Sequence, residues 1–349
     1  MRRIGIYGLT IVLCAFAAEG ISRFVHWGAR PMIPYEVDRT GAARLAPLID
    51  FAVKMPGYRR IELVTDALGC RVAHAGQVAS DHRGGILFIG DSQVLGWGLP
   101  FAETMAARTA AKLDIPIENT WILAAAMQDP AAIRPWVEDY TRAHPQRHRL
   151  VVIGLNLGND LEELAFGSTS LQRGAEIANW LATHSTLYLD WALQKQRFAA
   201  GTANRGMIGV NVAMVTPALD RSLLARRIVE AVDRLIQDLP AADQVAVALI
   251  PQDSQVALRE FEKYRYSYVD DAEFARYRDL QRIAVERLDE TTRLIVEGLT
   301  ARGVIAVELA PALRAHPDME LFDRISHHLL PQGQELAADR IVSVLRQTR

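Results

Sequence analysis

The 349-residue chain is short of the residues that announce several common functions. It has two cysteines, Cys14 and Cys70. Cys14 stands in an apolar N-terminal run, so no disulfide framework is available. No CxxC or Cys/His cluster has metal-ligand spacing either. A basic excess is also lacking: 39 basic residues face 41 acidic ones, for a net charge of -2. Nucleic-acid binding leaves a basic footprint, so no nucleic-acid partner is expected. Lysine occurs only at positions 54, 112, 195 and 263, and arginine carries the rest of the positive charge, which reads as genomic base composition rather than chemistry. GxGxxG and Walker runs are missing, which leaves a nucleotide-binding protein without its phosphate cradle.

A full-length apolar span is lacking at the N-terminus. The uncharged run from Ile4 to Ala18 falls short of the roughly 20 residues that cross a bilayer. Arg2 and Arg3 precede it, Glu19 closes it, and Ala15-Phe16-Ala17 offers small residues for cleavage. Residues 1–20 are therefore expected to be a signal peptide or a tilted signal anchor, with membrane anchoring through residues 4–18. Leu13 directly before Cys14 is a poor match to a lipoprotein site. The expectation is an exported chain, periplasmic or anchored in the inner membrane and facing outward.

What is present is an ordinary globular composition, 50% hydrophobic and 23% charged, with ample material for a core. Residues 21–75 carry Pro31, Pro34, Pro47 and Pro56, which break any long helix, and read as an extended N-terminal arm. From residue 76 to 349 the pattern becomes a single α/β domain. Strand-like runs at 86–89, 120–126, 149–155, 245–250 and 304–309 alternate with helical stretches at 101–113, 131–143, 272–302 and 331–346. Such alternation predicts a parallel sheet covered on both faces, with ligands at the carboxyl ends of its strands. Residues from about 161 to 243 read as a helical insertion, either a helix packed on the sheet or a wall over the strand ends. No internal repeat or low-complexity tract interrupts the chain.

Three segments converge on that edge. Gly90-Asp91-Ser92 follows the first strand, "GLNLGND" (154–160) follows the third, and "DRISHHLLPQGQELAADRI" (323–341) places a histidine just before a proline-started helix. A serine nucleophile needs a base within hydrogen-bond reach, and histidine has the suitable pKa. Asn159 would offer an amide to a developing oxyanion. Asp91 and Asp160 read as loop-holding residues, and Trp97 as a core residue.

These blocks resemble those of the SGNH (GDSL) hydrolase family. Gly90-Asp91-Ser92 looks like the first block, and "VLGWG" after it is similar to the "FGWG" of exported or membrane-anchored bacterial members. Gly158-Asn159-Asp160 resembles the third block. His328, five residues before Gly333, resembles the last. Upstream, "TDALGCR" (65–71) is similar to a "TNSLGFR" stretch, and "VALIPQDSQV" (247–256) to a strand–proline segment between the third and last blocks. The resemblance implies a flavodoxin-like three-layer α/β/α fold and ester hydrolysis or acyl transfer, with no metal or organic cofactor. It implies Ser92 as nucleophile, His328 as base, and the Ser92 N–H and Asn159 as oxyanion donors.

The sequence departs from the family twice. The second block usually supplies an oxyanion glycine, whereas "ILAAAMQDP" (122–130) has none, so Ala126 or Met127 takes that place through its N–H. The aspartate usually found three residues before the histidine is Ile325 here. Asp323 lies five before His328, so either Asp323 completes a triad or Ser92 and His328 work as a dyad. The resulting expectation is a serine esterase or O-acyl transferase acting on glycan or lipid acyl esters of the cell envelope. The alternative is a catalytically impaired binding module for envelope glycan.

Overall fold

The computed structural model describes residues 2–37, 43–55, 58–77, 84–124, 130–145, 147–158, 184–189, 220–256, 271–323 and 327–348, with 161, 181 and 191 as single positions. Its centre is a five-stranded sheet of β5 (Ile86–Gly90), β6 (Thr120–Ala124), β7 (His148–Asn156), β8 (Ala242–Ile250) and β9 (Ile305–Glu308). Their order in space is β6-β5-β7-β8-β9, and every pairing is parallel. This is the flavodoxin-like doubly wound order, whose ligand crevice opens where the chain changes direction, between β5 and β7.

The expected fold is therefore present, for a reason visible in the strands. Every residue of β5 and β6 is buried, as in a sheet covered on both faces, whose strands become continuous apolar runs. Alternate side chains feed opposite layers. Phe88, Val152, Ala248 and Val307 point into one core, while Leu87, Ile89, Val151, Ile153, Val247 and Leu249 point into the other. On the first face lie α3 (Met105–Lys112) and α9 (Pro331–Gln347), through Ala106, Ala110, Ala337 and Ile341. On the second lie α4 (Pro130–Ala143), α5 (Arg221–Gln237) and α7 (Asp271–Thr300), through Val137, Ile228, Val232, Leu288 and Ile295.

The stretch read as an extended arm takes a different form. Its strands β1 (Tyr35–Val37) and β2 (Ala43–Leu45) pair antiparallel, as do β3 (Asp50–Val53) and β4 (Ile61–Val64). Leu45, Ile49, Val53 and Leu63 are buried in the same core as Phe88, and Arg71 bridges to Ile122 beside β6. The prolines break helices there, as expected, but the apolar residues between them give the segment a core to join.

The N-terminal run lies in helix α1 (Arg2–Val25), which leaves Leu13, Phe16, Ile21 and Phe24 exposed. Among the described residues no helix is long and apolar enough to cross a membrane. Of the expected insertion, positions 161, 181, 184–189, 191 and 220–243 are described, helical at 186–189 and in α5.

Candidate active site

The site begins where β5 ends. Gly90 is there for space. A Cβ on Gly90 would lie 2.4 Å from Val94 Cγ2 and 2.8 Å from the Gly154 carbonyl oxygen, and one on Gly154 2.3 Å from the same Val94 methyl. Two bare backbones on neighbouring strands let Val94 settle between them, so the short helix α2 (Ser92–Leu95) folds tightly over the strand ends.

Asp91 caps that helix. One carboxylate oxygen accepts from the Gln93 N–H at 2.9 Å and the other from Asn156 Nδ2 at 2.7 Å. Asn156, the last residue of β7, also accepts the Gly158 N–H on its Oδ1 at 3.0 Å. The end of β7 is thus tied to the turn that carries Ser92, which stands at the first position of α2, where backbone N–H groups lack helical partners.

Behind α2 the elbow is held by a buried cation. Arg71 is 1% exposed, and its guanidinium donates to the carbonyls of Leu95 (2.6 Å), Gly96 (3.2 Å) and Leu99 (2.5 Å). Burial brings its pKa down to about 10, partly opposed by nearby Tyr35. The Tyr35 phenol is itself pushed up by burial and by the Asp91 charge.

The third segment comes from the turn before α9. Phe322 bridges to Leu329, the Asp323 N–H donates to the His328 carbonyl at 2.8 Å, and the His327 N–H donates to the Asp323 carbonyl at 2.9 Å. This turn sets His328 Nε2 at 2.7 Å from Ser92 Oγ, across 236 residues of sequence. With the imidazole neutral, the hydroxyl donates to it, the arrangement a serine needs to lose its proton on attack. The His328 ring lies against Trp97, with centroids 5.2 Å apart and planes at 12°.

Gln93, the residue after Ser92, holds both flanks of His328. Its Nε2 donates to the His327 carbonyl at 2.9 Å, and its Oε1 accepts the Leu329 N–H at 2.9 Å. Gln334 of α9 donates to the Gln93 carbonyl at 3.0 Å and accepts the Met105 N–H at 2.7 Å. Gly333 allows this approach, since a Cβ there would sit 2.6 Å from the Leu321 carbonyl oxygen.

The structure thus brings Ser92 and His328 together and ties Asp323 to the histidine turn through its main chain. His327 turns the other way: its Nδ1–H donates to Asp253 Oδ2 at 2.6 Å, in a pair that is 7% exposed on each side. Met127 and Asn159 lie outside the described residues, as do Ala126 and Asp160. Gln93, Asn156 and Asp253 were not among the residues read from the sequence. The nearest signal was position: each sits within three residues of the end of a parallel strand or of Ser92. Among the described residues no group of three or more His, Cys, Asp and Glu is gathered as metal ligands are.

No family model and no curated protein matches the sequence. Solved structures do resemble the chain. A phospholipase A1 from Streptomyces albidoflavus is 15% identical, covering 76% of this chain and 100% of its own, with a TM-score of 0.42. An extracellular lipase from Streptomyces rimosus is 13% identical over the same shares, with a TM-score of 0.42. A carbohydrate acetylesterase from Sinorhizobium meliloti is 13% identical, again over 76% and 100%, with a TM-score of 0.38.

Proposed function

We propose that this protein is a serine-dependent ester hydrolase or O-acyl transferase with Ser92 as nucleophile and His328 as base. The observation that carries the reading is the 2.7 Å contact between Ser92 Oγ and His328 Nε2 at the crevice of a doubly wound sheet. Ligands of such sheets bind at this edge, and a hydroxyl so placed has its proton acceptor already in position.

In this reading Ser92 Oγ bonds to the ester carbonyl carbon while its proton passes to His328 Nε2, and the carbonyl π pair moves onto oxygen. The Ser92 N–H meets that oxyanion, joined by the Asn159 amide and the N–H of Met127. Preorganised donors of this kind are worth about 10² to 10³ in turnover each. Collapse expels the alcohol, which takes the proton back from His328 and leaves an acyl-Ser92. Water then completes hydrolysis, or a sugar hydroxyl completes transfer. Asp323 serves the histidine turn in this scheme by holding its main chain.

The substrate class is an acyl ester on a glycan or lipid of the cell envelope. The basic, apolar N-terminus supports an exported protein, cleaved or anchored through residues 4–18, with the site facing outward. A reporter fused after residue 349 and assayed on both sides of the membrane checks that placement.

The experiment for the chemistry is fluorophosphonate labelling of wild type against Ser92→Ala, followed by a panel of esters of increasing acyl length. Labelling confined to wild type, with turnover of at least one ester, is expected. A folded wild type that neither labels nor hydrolyses would favour the glycan-binding alternative.

A further inference from the structure

Beside the Ser92–His328 contact stands a second histidine and carboxylate that the acyl-transfer steps do not use. Asp253 and His327 are each 7% exposed and joined at 2.6 Å. A buried carboxylate is costly unless its oxygens are satisfied, and here both are: Oδ2 by the His327 Nδ1–H, Oδ1 by the Ser254 N–H at 2.7 Å. His327 sits one residue from the proposed base.

The backbone beside the pair is twisted. His327 has φ of 59°, in the left-handed region that non-glycine residues seldom occupy. That twist reverses the chain between His327 and His328, sending one ring toward Asp253 and the other toward Ser92. The amides on either side of His328 are bound to the Gln93 side chain, so the main chain is held from the nucleophile's side and the His327 ring from the other.

Asp253 is well fixed for such a task. It opens the short helix α6 (Asp253–Val256) just after β8. Gln255 Oε1 accepts the Gln252 N–H at 3.0 Å, and its Nε2 donates to Asp289 of α7 at 3.0 Å. Arg314 of α8 (Ala310–Arg314) donates to both Asp289 oxygens at 2.8 Å and also binds the Gln255 carbonyl. Two helices outside the site thus brace α6, and Asp253 passes that support to the histidine turn.

We infer that Asp253 and His327 are positioning residues, a carboxylate–imidazole pair that locks the left-handed turn and so holds His328 within reach of Ser92. The inference rests on the reading of Ser92 and His328 as nucleophile and base.

The test uses the purified full chain with p-nitrophenyl acetate and a fluorophosphonate probe, comparing wild type, Ser92→Ala, Asp253→Ala, His327→Asn and His327→Gly. Asp253→Ala is expected to lower kcat by about 10²-fold at little-changed KM, the scale of a base displaced by about 1 Å, and to slow labelling in parallel. Asparagine tolerates the left-handed turn and carries an N–H for Asp253, so His327→Asn should stay within a few-fold of wild type. Glycine tolerates the turn but has no donor, so His327→Gly should fall as Asp253→Ala does. A His327→Gly enzyme with wild-type kcat would mean that the backbone twist alone suffices, and would overturn the pair. Should Asp253→Ala fail to fold, the Asn and Gly variants decide. A downfield imidazole proton in the NMR spectrum, present in wild type and Ser92→Ala and lost in His327→Gly, reports the pair without turnover; its absence from wild type overturns the inference. Undiminished labelling and hydrolysis in Ser92→Ala would instead sink the nucleophile reading itself.

Discussion

Trp97 lies face to face with His328, ring centroids 5.2 Å apart and planes 12° from parallel, and Tyr35 stacks on Trp97 in turn at 6.4 Å and 14°. The sequence suggested a core tryptophan, and Trp97 does pack against the core that holds Phe88 and Val94. Its indole face also covers the ring that, in the proposed mechanism, becomes cationic when Ser92 gives up its proton. A cation over an indole face gains about 0.5 to 2 kcal/mol, and this gain exists only once the imidazolium has formed.

Trp97→Leu is therefore expected to lower kcat on an activated ester by a factor of about 2 to 30, the range those energies span. Trp97→Phe, with a weaker π face, should fall between. Steady-state kinetics on the three proteins checks the order; equal kcat values would reduce Trp97 to a packing residue.

Val94 tests the elbow itself. Because its methyl fills the space a Cβ on Gly154 would need, Gly154→Ala is expected to cost about 1 to 3 kcal/mol as an overpacked core and to reduce activity by shifting Ser92. Adding Val94→Ala should restore most of the stability, since the two changes touch and do not act independently. Urea unfolding midpoints of the single and double variants measure this.

The strands were legible because burial on both faces writes them as unbroken apolar runs, and Val247 or Ile153 can hardly be read otherwise. Ser92 and His328 were legible through local signals: a glycine exit from a strand, and a histidine spaced from Gly333. The structure gives that spacing a cause, since Gly333 passes against the Leu321 carbonyl. Gly90 has a spatial cause of the same kind, since a Cβ there would meet Val94 and the Gly154 carbonyl. The residues that contact the histidine turn were not legible. Gln93 meets the His327 carbonyl across 234 residues and Asp253 meets His327 across 74, and no local period records such a meeting. The hairpins before residue 65 were missed for another reason: strands of three or four residues are too short to display an alternation.

Arg71 carries a prediction about stability. Its guanidinium satisfies the carbonyls of Leu95, Gly96 and Leu99 from a fully buried position. Arg71→Met keeps much of the volume and strands those acceptors, each at about 1 to 3 kcal/mol if no water replaces the donor. A loss of at least about 2 kcal/mol in denaturant unfolding is expected, with slower fluorophosphonate labelling because the α2 elbow loosens. Arg71→Lys should recover only part, since one ammonium cannot reproduce the planar fork.

The N-terminal helix offers a pH prediction whose sign is fixed by Glu19. Its carboxylate accepts from Arg23 Nε at 2.7 Å, Ser185 Oγ at 2.7 Å, and the N–H groups of Thr186 (2.9 Å) and Leu187 (3.0 Å). Burial by itself raises its pKa, but the four donors outweigh it and bring the group from 4.5 to about 2. A carboxyl whose pKa is lower folded than unfolded stabilises the folded state fully above its unfolded value and loses that contribution as pH falls toward the folded one. Wild type should therefore melt above Glu19→Gln at pH ~7. The gap should narrow below about pH 4.5 and close near pH 2. Thermal unfolding of both proteins in one detergent buffer across that range measures it. A gap unchanged at the acid end would mean that the carboxylate's charge is not what ties α1 to residues 185–187.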